Sequence, residues 1–345
     1  MATTVKNLTE SSFLESIPPK YVIPRNPEDL NFGEEEEIEQ QVPTIDYYLL
    51  TSGSQEERSK SIENLRVACL EWGFFTVINH GVPESLINEM LNLCLSFFDL
   101  SPADKSDYAE KHVLSPIRCG TSFNAAVDKV YFWRDYLKIF VHPDFSAPLK
   151  PNGFREVAYE YCTRTREIVK ELLKAVSVSL GLEEDYIEKS LETKSGLQIL
   201  VANLYPPCPQ PELALGMPPH SDHGLLTLLT QNEIGGLQIK HKDKWIDANA
   251  LPNSFMVNVG DHMEILSNGN YKSILHRAVV NTTATRVSLV TANGPSLDAV
   301  VAPAPKLVNC EKHPPLYHGM KYREYLELQQ SNQLHGKSCL DLVRI

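Results

Sequence analysis

The chain has 345 residues, 42% of them hydrophobic, and a formal net charge of −12. That length suggests one large domain or two fused ones, with ample apolar content for a core. The acidic balance argues against nucleic acid or an anionic membrane as a partner. No apolar run approaches the roughly 20 residues of a membrane span. The opening Met-Ala-Thr-Thr-Val-Lys lacks an apolar h-region, so no secretory signal is expected. The closing Val343-Arg344-Ile345 is not a peroxisomal address. Seven cysteines without close pairs read as buried, reduced thiols, and a cytoplasmic location is expected.

In chain order, residues 1–40 read as an extended arm, with Pro18, Pro19, Pro24 and Pro27 and an acidic run from Glu34 to Glu37. Val42 to Asp46 suggests a short first strand. From Glu56 the apolar positions Ile62, Leu65, Cys69 and Trp72 fall at helical spacing, and Gly73 stops that helix before a strand from Phe74 to Ile78. A helix after Pro83 buries Leu86, Ile87, Met90, Leu91, Cys94 and Phe97, while His80 reads as a structural histidine at the turn before it. A long helix is predicted from about Arg155 to Leu180, stopped by Gly181. From Leu197 the chain becomes β-rich, with turn signals at the spacing of a sandwich or jelly roll. A last helix is expected from about Tyr322 to Gln330, folding back with the tail over the barrel mouth.

The chemistry concentrates between Asn203 and Ser288. His220 and Asp222 are two residues apart, so an extended segment would put both on one face. A second histidine, His276, must arrive from a later strand. Two imidazoles and a carboxylate are the facial set that holds non-haem Fe(II) with open positions. Ten residues beyond His276, Arg286 offers a planar fork for a carboxylate, and Ser288 lies on the same strand face as a hydroxyl donor. A metal triad followed by a carboxylate receptor describes a site for iron and an α-keto acid.

The sequence resembles a plant member of the 2-oxoglutarate- and Fe(II)-dependent dioxygenases, in the specialised-metabolism branch of the isopenicillin N synthase-like superfamily. The resemblance rests on Asn203-Leu204-Tyr205-Pro206-Pro207-Cys208-Pro209-Gln210-Pro211, the triad, Asn258-Val259-Gly260-Asp261, Leu266-Ser267-Asn268-Gly269 and Arg286-Val287-Ser288. Trp72-Gly73-Phe74-Phe75 and Ile78-Asn79-His80-Gly81-Val82 extend it into the N-terminal half, so that it covers about residues 40 to 330. It implies a mixed α/β, mainly β fold: a double-stranded β-helix (jelly-roll) core with an N-terminal helical layer and a long scaffold helix. It further implies an arm at 1–40, an N-terminal non-haem dioxygenase region at 41–190, a catalytic core at 191–320 and a C-terminal helix and tail at 321–345.

By the same resemblance, Fe(2+) is the metal, 2-oxoglutarate and O2 are co-substrates, and ascorbate is the expected reductant. Asn203 and Tyr205 join Arg286 and Ser288 around 2-oxoglutarate. Phe123, Tyr131, Trp133, Lys138, His223 and Ala292 are expected around the organic substrate, with the segment from Tyr131 to Lys138 matching the family's strand at the pocket mouth. Flavonoid-oxidising relatives carry an aromatic residue where Ala292 stands, which argues against a flat flavonoid held in the usual way. The expected activity is hydroxylation of a small, largely apolar plant specialised metabolite, with release of succinate and CO2, by a monomer that binds neither nucleic acid nor membrane. Two alternatives remain open at this point: an iron oxidase resembling the ethylene-forming enzyme that needs no 2-oxoglutarate, and a non-catalytic binding protein on the same barrel.

Overall fold

The computed structural model describes residues 4–11, 14–24, 41–109, 111–309, 311–331 and 336–345; the acidic run Glu34–Glu37, Cys310 and His335 lie outside these. The stretch expected as an extended arm instead contains a helix, α1 (Val5–Ser11). The Asp135 carboxylate accepts from the amides of Val5 and Lys6 at 2.9 and 2.8 Å, satisfying donors that a helix start leaves open. A cap supplied from so far along the chain leaves no local signal. Tyr21 follows, buried edge-on against Trp133.

The N-terminal region then forms β1 (Thr44–Asp46), α2 (Tyr47–Ser52) and α3 (Gln55–Val67), the last begun by a capping box between Ser54 and Glu57. Helix α3 runs out through a π turn that Gly73 closes at φ 63°. Strand β2 (Phe74–Ile78) and helices α4 (Glu84–Asp99) and α5 (Pro102–Lys105) come next. They are followed by β3 (Ile117–Thr121), β4 (Asp135–His142), the long α6 (Phe154–Ser179) and α7 (Tyr186–Ser190). His80 is the structural histidine expected: its Nδ1 accepts from the Val82 amide, and its Nε2 lies 3.1 Å from the Asn253 carbonyl.

Six strands then lead to α8: β5 (Gln198–Tyr205), β6 (Met217–His220), β7 (Leu226–Gln231), β8 (Leu237–His241), β9 (Lys244–Asp247) and β10 (Phe255–Val259), before α8 (Asp261–Leu266). Strands β11 (His276–Ala278), β12 (Arg286–Asn293), β13 (Val300–Val301) and β14 (Met320–Lys321) precede α9 (Tyr322–Ser331) and α10 (Ser338–Asp341). The large sheet runs β1-β2-β10-β7-β12-β5-β4-β3, and a smaller one runs β6-β11-β8-β9. The pairings of both sheets are antiparallel except that of β1 with β2. The two sheets face each other as a jelly roll.

Period-2 alternation decides which side of the large sheet does chemistry. On β5, Leu200, Ala202 and Leu204 join the core that the helices α3, α4 and α6 build on the outer face. The alternate residues Ile199, Val201, Asn203 and Tyr205 line the barrel interior. Strand β12 repeats this, with Val287 and Leu289 outward and Arg286, Ser288, Val290 and Ala292 inward. Burial on both faces explains why these strands read as near-continuous apolar runs.

The C-terminal segment is tied down by Glu264, whose side chain is fully buried. Its carboxylate accepts from the Tyr317 hydroxyl at 2.7 Å, the Ser273 amide at 2.7 Å and Lys337 Nζ at 2.9 Å, with Arg344 at 3.6 Å. Truncating it would leave a buried amide and a buried phenol unpaired, at a cost on the order of 3 kcal/mol. Glu264→Ala should therefore lower the denaturant midpoint and speed proteolysis of the last 30 or so residues; an unchanged midpoint and cleavage rate would contradict this tie.

Candidate active site

Strand β6 ends on His220, β11 begins on His276, and the two are direct partners in the antiparallel ladder. Their ring centroids lie 4.2 Å apart, and each Nε2 faces Asp222 Oδ1, at 3.8 Å from His220 and 3.7 Å from His276. One ligand atom from each of the three residues lies within 4.8 Å of the others. Nδ1 of His220 sits 2.7 Å from the Pro218 carbonyl and that of His276 3.3 Å from the Ile274 carbonyl. Those carbonyls place the proton on Nδ1 and leave the Nε2 lone pairs aimed at a common point.

Asp222 differs from the sequence expectation. It does not share a strand with His220, because β6 stops there and Asp222 stands in the following turn. Two close backbone approaches hold that turn. The Asp261 amide donates to the Asp222 carbonyl at 2.8 Å, and the Gly260 amide to that of Leu225 at 2.9 Å. At Gly224, φ is +86° and a Cβ would meet the Asn293 carbonyl at 2.7 Å, so only glycine fits. Asn258 Nδ2 donates to Asp222 Oδ2 at 3.0 Å, leaving Oδ1 for the histidines.

Burial and then the neighbouring His276 hold His220 well below the usual imidazole range. Burial alone would raise Asp222, but His276, His220 and the Asn258 amide bring it below the usual carboxylate range. A neutral His220 and an ionised Asp222 are the forms that a divalent cation binds. The donor set fits an Fe(II) facial triad.

At the other end of the same cavity, β5 and β12 place Arg286 opposite Tyr205 and Ser288 opposite Asn203. Arg286 is buried; Nε and Nη2 donate to Gln231 Oε1 at 3.2 and 2.7 Å, and the guanidinium lies 4.9 Å from the centre of the Tyr205 ring. Among the described residues no carboxylate pairs with it. Ser288 Oγ accepts from Asn203 Nδ2 at 3.1 Å, which leaves its own hydrogen to donate. Asn203 Oδ1 is buried without a partner. A buried cation lacking a counter-ion, beside a hydroxyl with a free hydrogen, is a receptor for an anion.

Phe123, Lys138, His223 and Ala292 line this cavity, but Tyr131 and Trp133 do not. Trp133 packs against Tyr21 and donates Nε1–H to the Pro206 carbonyl, while Tyr131 borders a separate cavity. The reason is phase: Trp133 is in step with Asp135 and Leu137, which turn away from the interior, whereas Arg134, Tyr136 and Lys138 face it. His223 Nδ1 lies 2.8 Å from the Tyr322 hydroxyl of α9, and burial followed by the charge of Lys138 lowers its pKa to about 3. His262 is buried, and its Nδ1 accepts from the Gly224 amide. Sequence reasoning passed over Arg118, Arg134, Tyr136, Asn258, Gln329 and Gln330 on the cavity wall. Spacing by twos from Arg134 to Lys138 was the available signal for two of them.

The 2OG-Fe(II) oxygenase superfamily matches residues 196–295, and the family described as non-haem dioxygenase in morphine synthesis N-terminal matches residues 42–157. The 2-oxoglutarate-dependent dioxygenase 19 of Oryza sativa subsp. japonica is 47% identical over 89% of this chain and 91% of its own length. Protein DMR6-LIKE OXYGENASE 1 of Arabidopsis thaliana is 40% identical over 100% of this chain and 99% of its own. The chain belongs to the 2-oxoglutarate- and Fe(II)-dependent dioxygenases. A crystal structure of JOX2 in complex with 2OG, Fe and JA superposes on this dioxygenase with a TM-score of 0.88 at 31% identity, covering 100% of this chain and 98% of that one. The enzyme's metal is iron and its co-substrate is 2-oxoglutarate. Among the described residues no helix is long and apolar enough to cross a membrane.

Asn258 is the part of this geometry that can be tested without removing a ligand. Asn258→Ala should weaken Fe(II) binding by about tenfold to a hundredfold, because the Asp222 carboxylate is then free to rotate. Anaerobic titration of Fe(II) into the metal-free variant measures this, and an unchanged dissociation constant would remove Asn258 from the site.

Proposed function

We propose that His220, Asp222 and His276 hold Fe(II), that Arg286, Ser288, Tyr205 and Asn203 hold 2-oxoglutarate, and that the enzyme hydroxylates a small, largely apolar plant specialised metabolite. The observation that carries this reading is the cavity with both ends in place: three converging ligand atoms at one end, and at the other a buried guanidinium without a counter-ion. The JOX2 structure contains JA together with 2OG and Fe, which supports a small organic molecule as the third component.

With iron and 2-oxoglutarate bound, the site supplies an oxidant for the reaction in which a substrate C–H, 2-oxoglutarate and O2 give C–OH, succinate and CO2. This chain's residues do the positioning. Arg286 and Ser288 bond the distal carboxylate of 2-oxoglutarate and so orient its keto-acid end toward the triad. Asn203 keeps the Ser288 hydroxyl turned to donate, and the Tyr205 ring packs beneath the guanidinium. Phe123, His223 and Ala292 bound the space left for the substrate. The buried Arg286 favours this reading over an oxidase that works without 2-oxoglutarate, since that enzyme would leave the cation uncompensated.

By the same reading, residues 191–320 form the catalytic core, 41–190 extend and back its large sheet, and 321–345 cover the mouth. A monomer, ascorbate as reductant and a cytoplasmic location complete the proposal.

Two variants test the roles. Asp222→Ala should abolish succinate formation while the thermal melt persists; wild-type turnover with Fe(II) would overturn the triad. Arg286→Lys keeps the charge but loses the fork, and should raise the apparent KM for 2-oxoglutarate roughly tenfold to a hundredfold. An unchanged 2-oxoglutarate dependence would move the anchor elsewhere.

A further inference from the structure

Three more cations meet on the same inner face of the large sheet, towards its β3 edge. Arg118 on β3 is the ladder partner of Lys138 on β4, and Arg134 precedes β4 in the same phase. All three are more than nine-tenths buried, and among the described residues none pairs with a carboxylate. What they have instead is one neutral oxygen and soft surfaces. Gln330 Oε1, on α9, accepts from Arg118 Nη2 at 3.0 Å and also from Lys138 Nζ. Arg134 Nη1 points at the Met217 sulfur. The Tyr136 ring lies 5.9 Å from the Arg118 guanidinium and 4.9 Å from that of Arg134, and Nε of each is buried without a partner. Burial, reinforced by mutual repulsion at Lys138, disfavours the charge on these groups.

Strand β5 lies between this cluster and the Arg286 receptor on β12. The cluster is also where the iron cavity approaches a second, larger cavity of about 570 Å³, since Arg118 and Tyr136 border both. Lys105 and Lys111 add positive charge to that second space, and Phe97 and Phe98 give it an apolar side. Among the described residues its one carboxylate, Asp135, is occupied by the Val5 and Lys6 amides and the Thr121 hydroxyl. In a chain of net charge −12, an inward cluster of unpaired cations is not an accident of composition.

We propose that Arg118, Arg134 and Lys138 form a receptor for a carboxylate of the organic substrate, so that the enzyme oxidises a small organic acid with an apolar body. This rests on the dioxygenase reading of the cavity. The carboxylate displaces Gln330 Oε1 from two cations and supplies the charge that a neutral amide cannot. The apolar body then extends toward the triad, along the side that Phe123 lines.

The test uses the full chain with Fe(II) and 2-oxoglutarate, without oxygen, and three probes: phenylacetate, cinnamate and indole-3-acetate, each against its methyl ester. Binding is read from the visible charge-transfer absorption of the Fe(II)–2-oxoglutarate chelate and by calorimetry. At least one acid should bind about tenfold or more tightly than its ester, because the ester cannot accept a bidentate, charge-assisted pair. Arg118→Gln and Lys138→Met should each weaken that acid by about tenfold while the 2-oxoglutarate KM changes less. Gln330→Glu guards against simple misfolding: an internal carboxylate on the two cations should leave the melting temperature at or above that of the wild type and abolish acid binding. Esters binding as well as acids, no acid binding, or unaltered acid affinity in Gln330→Glu would each overturn the receptor. If the wild type formed no charge-transfer band, the dioxygenase reading would fall instead, and calorimetry of the same acids would still judge the receptor.

Discussion

The pairing of His220 with His276 across the β6–β11 ladder is the constraint on which the rest of the site depends. Neighbouring strands bring two imidazoles within reach of one ion only when they are ladder partners on the same face, and here the register makes them so. Each ring is then locked by a carbonyl two residues earlier in its own chain, so the strand that delivers the ligand also sets its orientation. Asp222 completes the set from a turn rather than a strand. That turn is held by amides from the start of α8, at a backbone approach that Gly224 and Gly260 permit. The glycine in Asn258-Val259-Gly260-Asp261 thus serves the same end as the asparagine: both fix the Asp222 carboxylate.

The second organising feature is buried positive charge on the inner face of the large sheet. Strand alternation turns Arg286 and Ser288 inward from β12, and Arg134 and Lys138 inward from the β4 segment, while the odd partners of each strand feed the outer core. Leaving a buried guanidinium without a counter-ion costs several kcal/mol. Among the described residues four such cations surround one cavity, which is thereby poised for anionic ligands, and Gln231 and Gln330 offer Arg286, Arg118 and Lys138 neutral oxygens. Helix α9 acts as the cover: Gln329 Nε2 donates to the Ser221 carbonyl between two of the triad residues, and Tyr322 meets His223.

Much of this was legible in the sequence because it follows short-range rules. The helices α3, α4, α6 and α9 carry apolar positions at helical spacing, and Gly73 closes its helix at positive φ as a stop residue should. His220, Asp222, His276, Arg286 and Ser288, which the structure brings to one cavity, were named from ligand chemistry and spacing. Two of the failures, at α1 and Arg118, rest on information held far away in the chain. Helix α1 exists because Asp135 caps it, so a stretch rich in proline farther on read as extended throughout. Trp133 was assigned to the substrate wall by resemblance, although its phase places it with Asp135 and Leu137 on the outer side. Arg118 gained meaning only once β3 paired with β4 and Gln330 arrived from α9.

The central claim is that the triad and Arg286 together form one ternary site for iron and 2-oxoglutarate. Its most direct measurement is an anaerobic titration of the metal-free protein in both orders, followed by absorption and calorimetry. This architecture predicts one Fe(II) per chain and a 2-oxoglutarate affinity that rises when Fe(II) is present, with the visible charge-transfer band appearing only when both are bound. Fe(II) binding that left 2-oxoglutarate affinity unchanged, or 2-oxoglutarate binding without any band, would contradict it.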